Sequence, residues 1–257
     1  MESFDKKKPN VDVILPNYNK GQFLQDAINS VVNQTYQNWH LYIIDDHSFD
    51  SSDTIINKFK NVKNTTVVKL YKNKGPSFCR NYAMRISNSK YISFIDSDDS
   101  WSSNKLEKQI NFMEKNNLNF TYTDYTSIFE KNGNKKEKKT FIKSEFDFKA
   151  FIKNSSINTT TMIISRSILG SLRFKKIKLC EDYLFKCKLL KKNNIAKKLN
   201  ENLAFYRIVN QSRSSQRLKN VYWLWYINKK YNKLSFLRNL QSIIFISINS
   251  LKKYGLK

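Results

Sequence analysis

The sequence predicts an α/β fold, with a mainly parallel central sheet flanked by helices and a C-terminal helical extension. Three observations carry that reading. Short β-type runs alternate with stretches of helical periodicity over the first hundred residues, each run ends in a polar loop, and the chain from about 216 onward reads as an amphipathic helix pair. Strands alternating with amphipathic helices imply right-handed crossovers and a parallel sheet. At 257 residues, 40% hydrophobic and 14% aromatic, the chain has enough apolar mass for a substantial core, which excludes a disordered protein.

The elements follow in order. Val11–Leu15 is a β-type run closed by Pro16-Asn17-Tyr18-Asn19-Lys20-Gly21, after which Phe23, Leu24, Ala27, Ile28, Val31 and Val32 recur at helical spacing. A second strand, Leu41–Ile44, runs into an acidic loop, and Ile55, Ile56 and Phe59 mark one face of the next helix. The spacing of Asp50 and Asp53 resembles a capping box with Asp in place of Glu. Thr66–Tyr71 is the third strand. Gly75-Pro76 then leads into a helix over about 77–87, with Ala83, Met84 and Ile86 expected inward. The fourth strand, Tyr91–Ile95, delivers Asp96, Asp98 and Asp99 to one point.

Three like charges within four residues repel unless a cation or ligand sits among them, and a divalent ion with hard oxygen ligands would suit. Asp96 and Asp98, two apart on an extended chain, project to the same side and can share one ion or ligand. Polar caps would account for a lone acid here, with 100–107 opening a helix. In a parallel sheet, however, ligands bind beyond the carboxyl ends of the strands. Pro16, Tyr18, Asn19, Asp45, Asp46, Asp96, Asp98 and Asp99 all fall at that edge, and Arg80 lies one turn into the third helix. Several acids and an arginine on one rim point to a nucleotide plus a metal.

Five blocks in this order and spacing resemble family 2 glycosyltransferases, which have the GT-A fold. They are Val-Ile-Leu-Pro-Asn-Tyr-Asn at 13–19, 30–36, Ile44-Asp45-Asp46-His47-Ser48, 75–81, and 94–101 with Asp96-Ser97-Asp98-Asp99. The resemblance implies an inverting transferase using a nucleotide-diphosphate sugar, most often a UDP-sugar. It implies that Pro16 and Tyr18 line the base and ribose pocket, that Asp46 accepts a hydrogen bond from uracil, and that Arg80 lies near base and phosphates. Asp96, with Ser97 beside it, would sit against the ribose or sugar, and Asp98 would bind Mn²⁺ or Mg²⁺. His47 stands where Gly is common in the family, and Cys79 where Ala is usual before the arginine. With no His or Cys partners at ligand spacing, His47 reads as a turn residue.

The resemblance also implies a catalytic base in an acidic pair that opens a helix in the second half. Glu181-Asp182-Tyr183-Leu184-Phe185 fits, and Asp182 is assigned. Acids at a helix start also suit the helix dipole without any catalytic part. Ala204-Phe205-Tyr206-Arg207, followed by Ser212 and Ser214, resembles the family's Tyr-Arg block ahead of a closing loop. The domain organisation implied is 8–215 for the transferase, divided into 8–105 for the donor and 106–215 for the acceptor, and 216–257 for the extension. Residues 130–139 read as a solvated hairpin tip.

A net charge of +25 attracts polyanions: nucleic acid, anionic lipid or an acidic glycan carrier. No nucleic-acid motif accompanies it, so no specific nucleic-acid partner is expected. The expected partners are a nucleotide-sugar donor and a glycan or glycolipid acceptor. Aromatics at 222–226 with flanking lysines could lie on an anionic membrane surface or pack on the domain. Cys79, Cys180 and Cys187 form no disulfide or zinc pattern, and neither a signal peptide nor a membrane span is read, which suits the cytoplasm and the inner membrane face. The sequence therefore points to transfer from a UDP-sugar in cell-surface polysaccharide synthesis. The alternatives are transfer to a polyprenyl phosphate, usually accompanied by membrane spans, and a basic binding protein that kept the fold without activity.

Overall fold

The computed structural model describes residues 10–131, 134–208 and 217–254. Strands β1 (Val11–Asn17), β2 (Trp39–Asp45), β3 (Thr65–Lys69) and β4 (Tyr91–Phe94) alternate with helices α1 (Gly21–Val32), α2 (Ser52–Phe59) and α3 (Pro76–Ile86). These four strands pair in parallel in the order β3-β2-β1-β4. Every residue of β1 is buried, as a central strand covered on both faces must be.

The second half is built differently. It comprises β5 (Ser100–Trp101), α4 (Lys105–Lys115), β6 (Phe120–Lys131), β7 (Asn134–Thr140), β8 (Glu145–Phe146), α5 (Phe148–Asn154), β9 (Ile163–Ser165), α6 (Arg166–Leu169), α7 (Glu181–Lys191) and β10 (Ala196–Ile208). The sheet continues from β4 through β9, β6 and β10 to β5, with β7 on β6 and β8 on β10. Among these strands only β6 and β10 are parallel. Short β9 runs antiparallel to both β4 and β6 and joins the two halves. The mainly parallel sheet is thus a property of its first four strands.

Several local expectations are corrected. Asp50 and Asp53 form no capping box, because Asp50 accepts from the amides of Ser52 (3.0 Å) and, across the sheet edge, Gly21 (2.7 Å), while Asp53 pairs with Lys69. Ile86 is exposed at the last turn of α3. The helix after the carboxylates opens at Lys105, because Ser100 and Trp101 pair with β10 and the Trp101 indole donates to Thr160 O at 2.9 Å. The segment 130–139 is mostly strand: β7 pairs along β6, and its lysines 135, 136, 138 and 139 face water on an outer strand, a known guard against edge-to-edge aggregation. Residues 132–133 of its tip, the N-terminal residues 1–9, Ser212, Ser214 and the 215/216 boundary lie outside the described residues.

Helices α8 (Arg217–Lys230) and α9 (Phe236–Tyr254) pack on the domain. Leu224, Ile227 and Ile246 join the core. Tyr183 donates to Asn228 (2.8 Å), Asn228 donates to Ser242 (2.8 Å), and Ser242 donates to Ile152 O (2.5 Å), so a buried polar chain ties the extension to α5 and α7. The outer side of α9 remains apolar and exposed at Leu237, Leu240, Ile244, Ile248 and Leu251.

Candidate active site

A cleft of about 870 Å³ opens over the carboxyl ends of β1, β2 and β4, and its far wall comes from α5, α7, α8 and α9. Pro16, Tyr18, Asp46, Arg80, Asp96, Ser97, Asp98 and Asp182 all line it. The crossover topology explains the convergence: each parallel strand ends at the same edge, so residues distant in sequence share one rim.

Asp46 follows β2 and is buried. Its two oxygens accept the amides of Lys74 and Gly75, each at 2.7 Å, fixing the turn that leads into α3. Gly75 stands at φ +86°, a conformation that a side chain would strain, and Pro76 supplies the first helical position. A carboxylate carries about four acceptor sites, so Asp46 keeps acceptor capacity toward the cleft. Its neighbour Asp45 instead accepts from Asn17 (2.7 Å) and Ser48 (2.6 Å) and does not line the cleft.

Arg80 is the hub. Its guanidinium is buried, donates to Asp96 at 2.6 Å, lies 3.6 Å from Glu181 and stacks over Phe174. It therefore joins the strand that carries the acidic turn to the helix that carries the assigned base. Asp98 faces a different cation, Lys20, at 2.7 Å. Asp99 corrects the picture of three converging carboxylates: it is buried away from the cleft, accepting from Thr160 (2.6 Å) and from the amide of Arg207 (3.0 Å). Burial, then Asp98 and Asp96, push its pKa well above the carboxylate range, so the crowding of like charge is relieved by protonation at Asp99. Tyr206 and Arg207 line the cleft, and Arg207 Nε donates to Asp98 O at 3.2 Å, which steadies the acidic turn from behind.

Asp182 stands in the first turn of α7, after Cys180 at φ +60° turns the chain into the helix. Its side chain is 40% exposed, and that exposure is toward the cleft. Sequence reading missed its partner, Lys186, one turn on and 2% exposed, which donates to Asp182 at 2.8 Å, to Ile157 O at 2.7 Å and to Thr159 Oγ1 at 3.2 Å. Partial desolvation works to raise the pKa of Asp182. Lys186, and then Arg80, outweigh burial and hold it at about 2. The signal was present as an i,i+4 acid–base pair, but helix faces rarely show such pairs pointing inward.

A consequence follows for pH. A depressed carboxylate stays ionised until the pH falls through its folded value, so Asp182 should impose no acidic limb on turnover at ordinary pH. In Lys186→Met the nearer cation is gone and Arg80 is left to oppose desolvation, so an acidic limb should move up toward the ordinary carboxylate value of about 4. A pH profile of kcat/KM measures it, and a Lys186→Arg variant should keep the wild-type profile.

Asp98 supplies a hard oxygen donor facing the cleft, and the ammonium of Lys20 already marks a cation position beside it. That chemistry fits Mg²⁺ or Mn²⁺ held by one carboxylate together with substrate phosphates. No cluster of three or more His, Cys, Asp or Glu is found among the described residues, so the chain itself offers few ligands.

Residues 12–175 match the family described as glycosyl transferase family 2. TuaG of Bacillus subtilis (strain 168), named as a teichuronic acid biosynthesis glycosyltransferase, is 32% identical over 96% of this chain and 98% of its own. WfgD of Escherichia coli, named a UDP-Glc:alpha-D-GlcNAc-diphosphoundecaprenol beta-1,3-glucosyltransferase, is 32% identical over 93% of each. In fold, the chain superposes on TarS 1–349 of S. aureus in complex with UDP-GlcNAc with a TM-score of 0.71 at 20% identity, covering 95% of this chain and 73% of that one. Over nearly its whole length, then, the sequence aligns with glycosyltransferases, and the chain belongs to glycosyl transferase family 2.

Proposed function

We propose that this glycosyltransferase moves a sugar from a UDP-sugar, with inversion, onto a hydroxyl of a glycan or lipid-linked acceptor in cell-surface polysaccharide synthesis. One observation carries the reading: the acidic rim of the sheet and the carboxylate of α7 face each other across a single cleft, joined through Arg80. The names of TuaG and WfgD and the UDP-GlcNAc complex of TarS support donor and acceptor classes.

In this reading Pro16 and Tyr18 hold the base and ribose, Asp46 accepts from uracil, and Arg80 keeps Asp96, with Ser97 beside it, placed against the ribose or donor sugar. Asp182 accepts the acceptor's proton as its oxygen attacks the anomeric carbon from the side opposite UDP, so an α-linked donor gives a β-linked product. Asp98 would hold Mn²⁺ or Mg²⁺ with the diphosphate oxygens, and the ion when bound neutralises charge developing on the leaving UDP. Residues 8–105 serve the donor, 106–215 the acceptor.

Among the described residues no helix is long and apolar enough to cross a membrane. The exposed apolar stripe of α9, with Lys252 at its end and a net charge of +25, supports peripheral binding to an anionic bilayer, at the cytoplasmic face where nucleotide sugars are made. Radiolabelled UDP-sugars, incubated with and without Mn²⁺, test the proposal. At least one should be turned over in a metal-dependent way, and the protein should sediment with anionic but not zwitterionic vesicles. A binding protein of the same fold would show no turnover with any donor.

A further inference from the structure

A second cavity, of about 440 Å³, lies apart from the cleft, and no residue lines both. Arg173 and Lys175 come to it from the segment after α6, Lys188 from α7, and Lys192 from the residue that follows α7. No acidic residue lines it, and among the described residues none of the four cations is ion-paired to a carboxylate. Its walls are fixed. Asn81 on α3 accepts from the Phe174 amide and donates to the Phe174 carbonyl, each at 2.8 Å, and the Phe174 ring stacks on Phe185 of α7 with centroids 3.9 Å apart. Arg173 Nη1 donates to Gly170 O (3.1 Å) and Leu172 O (2.8 Å). Lys192 reaches back to the same turn, where a Cβ placed on Gly170 would lie 3.7 Å from its ammonium.

Cations in the last turn of a helix suit its dipole, which accounts for Lys188 and Lys192 by themselves. It does not account for Arg173 and Lys175, brought against them from another segment, where like charges repel and no acid offsets them. Lys188 registers the conflict: it is partly buried, and burial and then Lys175 hold its pKa below the ordinary lysine value. An anion removes the repulsion. A carboxylate offsets one charge of the set, whereas a phosphoryl group brings about two negative charges and three acceptor oxygens. We infer that this cavity is a phosphate site separate from the cleft, taking a polyvalent phosphate group through Arg173, Lys175, Lys188 and Lys192.

A net charge of +25 attracts anions everywhere, so the lysines are read one at a time. The full chain is acylated with acetic anhydride with and without inorganic pyrophosphate, and each lysine's rate is followed by peptide mass spectrometry. Pyrophosphate should slow Lys175, Lys188 and Lys192 roughly tenfold at a tenfold excess over its dissociation constant, as occupancy dictates, and leave the exposed Lys136 and Lys139 of β7 unchanged. In Lys188→Gln/Lys192→Gln, protection of Lys175 should require about tenfold more pyrophosphate or worse, since charge-assisted hydrogen bonds are lost. Lys136→Gln/Lys139→Gln removes the same net charge and should not alter it. Sedimentation with phosphatidic acid vesicles identifies the source of the phosphate. Vesicle binding weakened by the Lys188/Lys192 pair and not by the Lys136/Lys139 pair assigns it to a lipid headgroup; equal vesicle binding in both, with pyrophosphate protection intact in wild type, assigns it to a soluble phosphate. Uniform slowing of all five lysines in wild type, or undiminished protection of Lys175 in Lys188→Gln/Lys192→Gln, overturns the site.

Discussion

Replacing Asp182 by Asn should lower sugar transfer roughly 10³-fold while UDP binds as before, within the range of about 10²–10⁴ that general-base catalysis contributes. The side chain keeps its shape, so the change isolates the ability to accept a proton. Its hydrogen bonds to side chains among the described residues go to Lys186 and Thr159, while Asp46 is engaged by Lys74 and Gly75, Asp98 by Lys20, and Arg80 directs its closest hydrogen bond at Asp96. A carboxylate held at about 2 is a weak base in isolation. Its pairing with Lys186 instead ensures that the group is ionised and aimed when the acceptor arrives, and formation of the glycosidic bond drives the proton onto it. Initial rates with a labelled donor, set beside UDP titration, measure the two quantities. Transfer at the wild-type rate would mean that another group takes the proton.

Lys186 also shows what a linear sequence hides. The strand–helix alternation of the first hundred residues was legible because each element satisfies its own periodicity: Val13, Ile14 and Leu15 are buried in β1, and Leu24, Ala27, Ile28 and Val31 in α1. The rim residues were legible because parallel strands end at one edge. What was not legible depends on partners far along the chain. Asp99 looks equivalent to Asp96 and Asp98 until Thr160 and the amide of Arg207 draw it inward. Trp101 belongs to a strand only because β10 lies beside it, and Lys135–Lys139 form a strand because β6 supplies the partner that their composition does not suggest. Ile86 satisfies the helical pattern yet lies exposed at the end of α3. The resemblance to a known family supplied the proposed roles that periodicity could not, above all the one proposed for Asp182.

Changing Asp98 to Asn should reduce the proposed metal-dependent turnover by roughly 10²–10³-fold, because on that proposal the ion is asked for several kcal/mol of charge stabilisation on the leaving group and Asp98 is the carboxylate that would hold it. The effect should be visible without turnover: Mn²⁺ binding in the presence of UDP, followed by its electron paramagnetic resonance signal, should weaken at least tenfold, while UDP alone binds as in wild type. Lys20 makes the test sharper. Its ammonium lies 2.7 Å from the Asp98 carboxylate and competes for the same oxygens. Lys20→Met should therefore tighten Mn²⁺ binding in the absence of nucleotide, the opposite of the Asp98 change, since removing one cation leaves the carboxylate to the other. Full activity in Asp98→Asn, with unaltered Mn²⁺ binding, would show that Lys20 and Arg80 neutralise the diphosphate by themselves. The carboxylate would then serve only to orient Lys20.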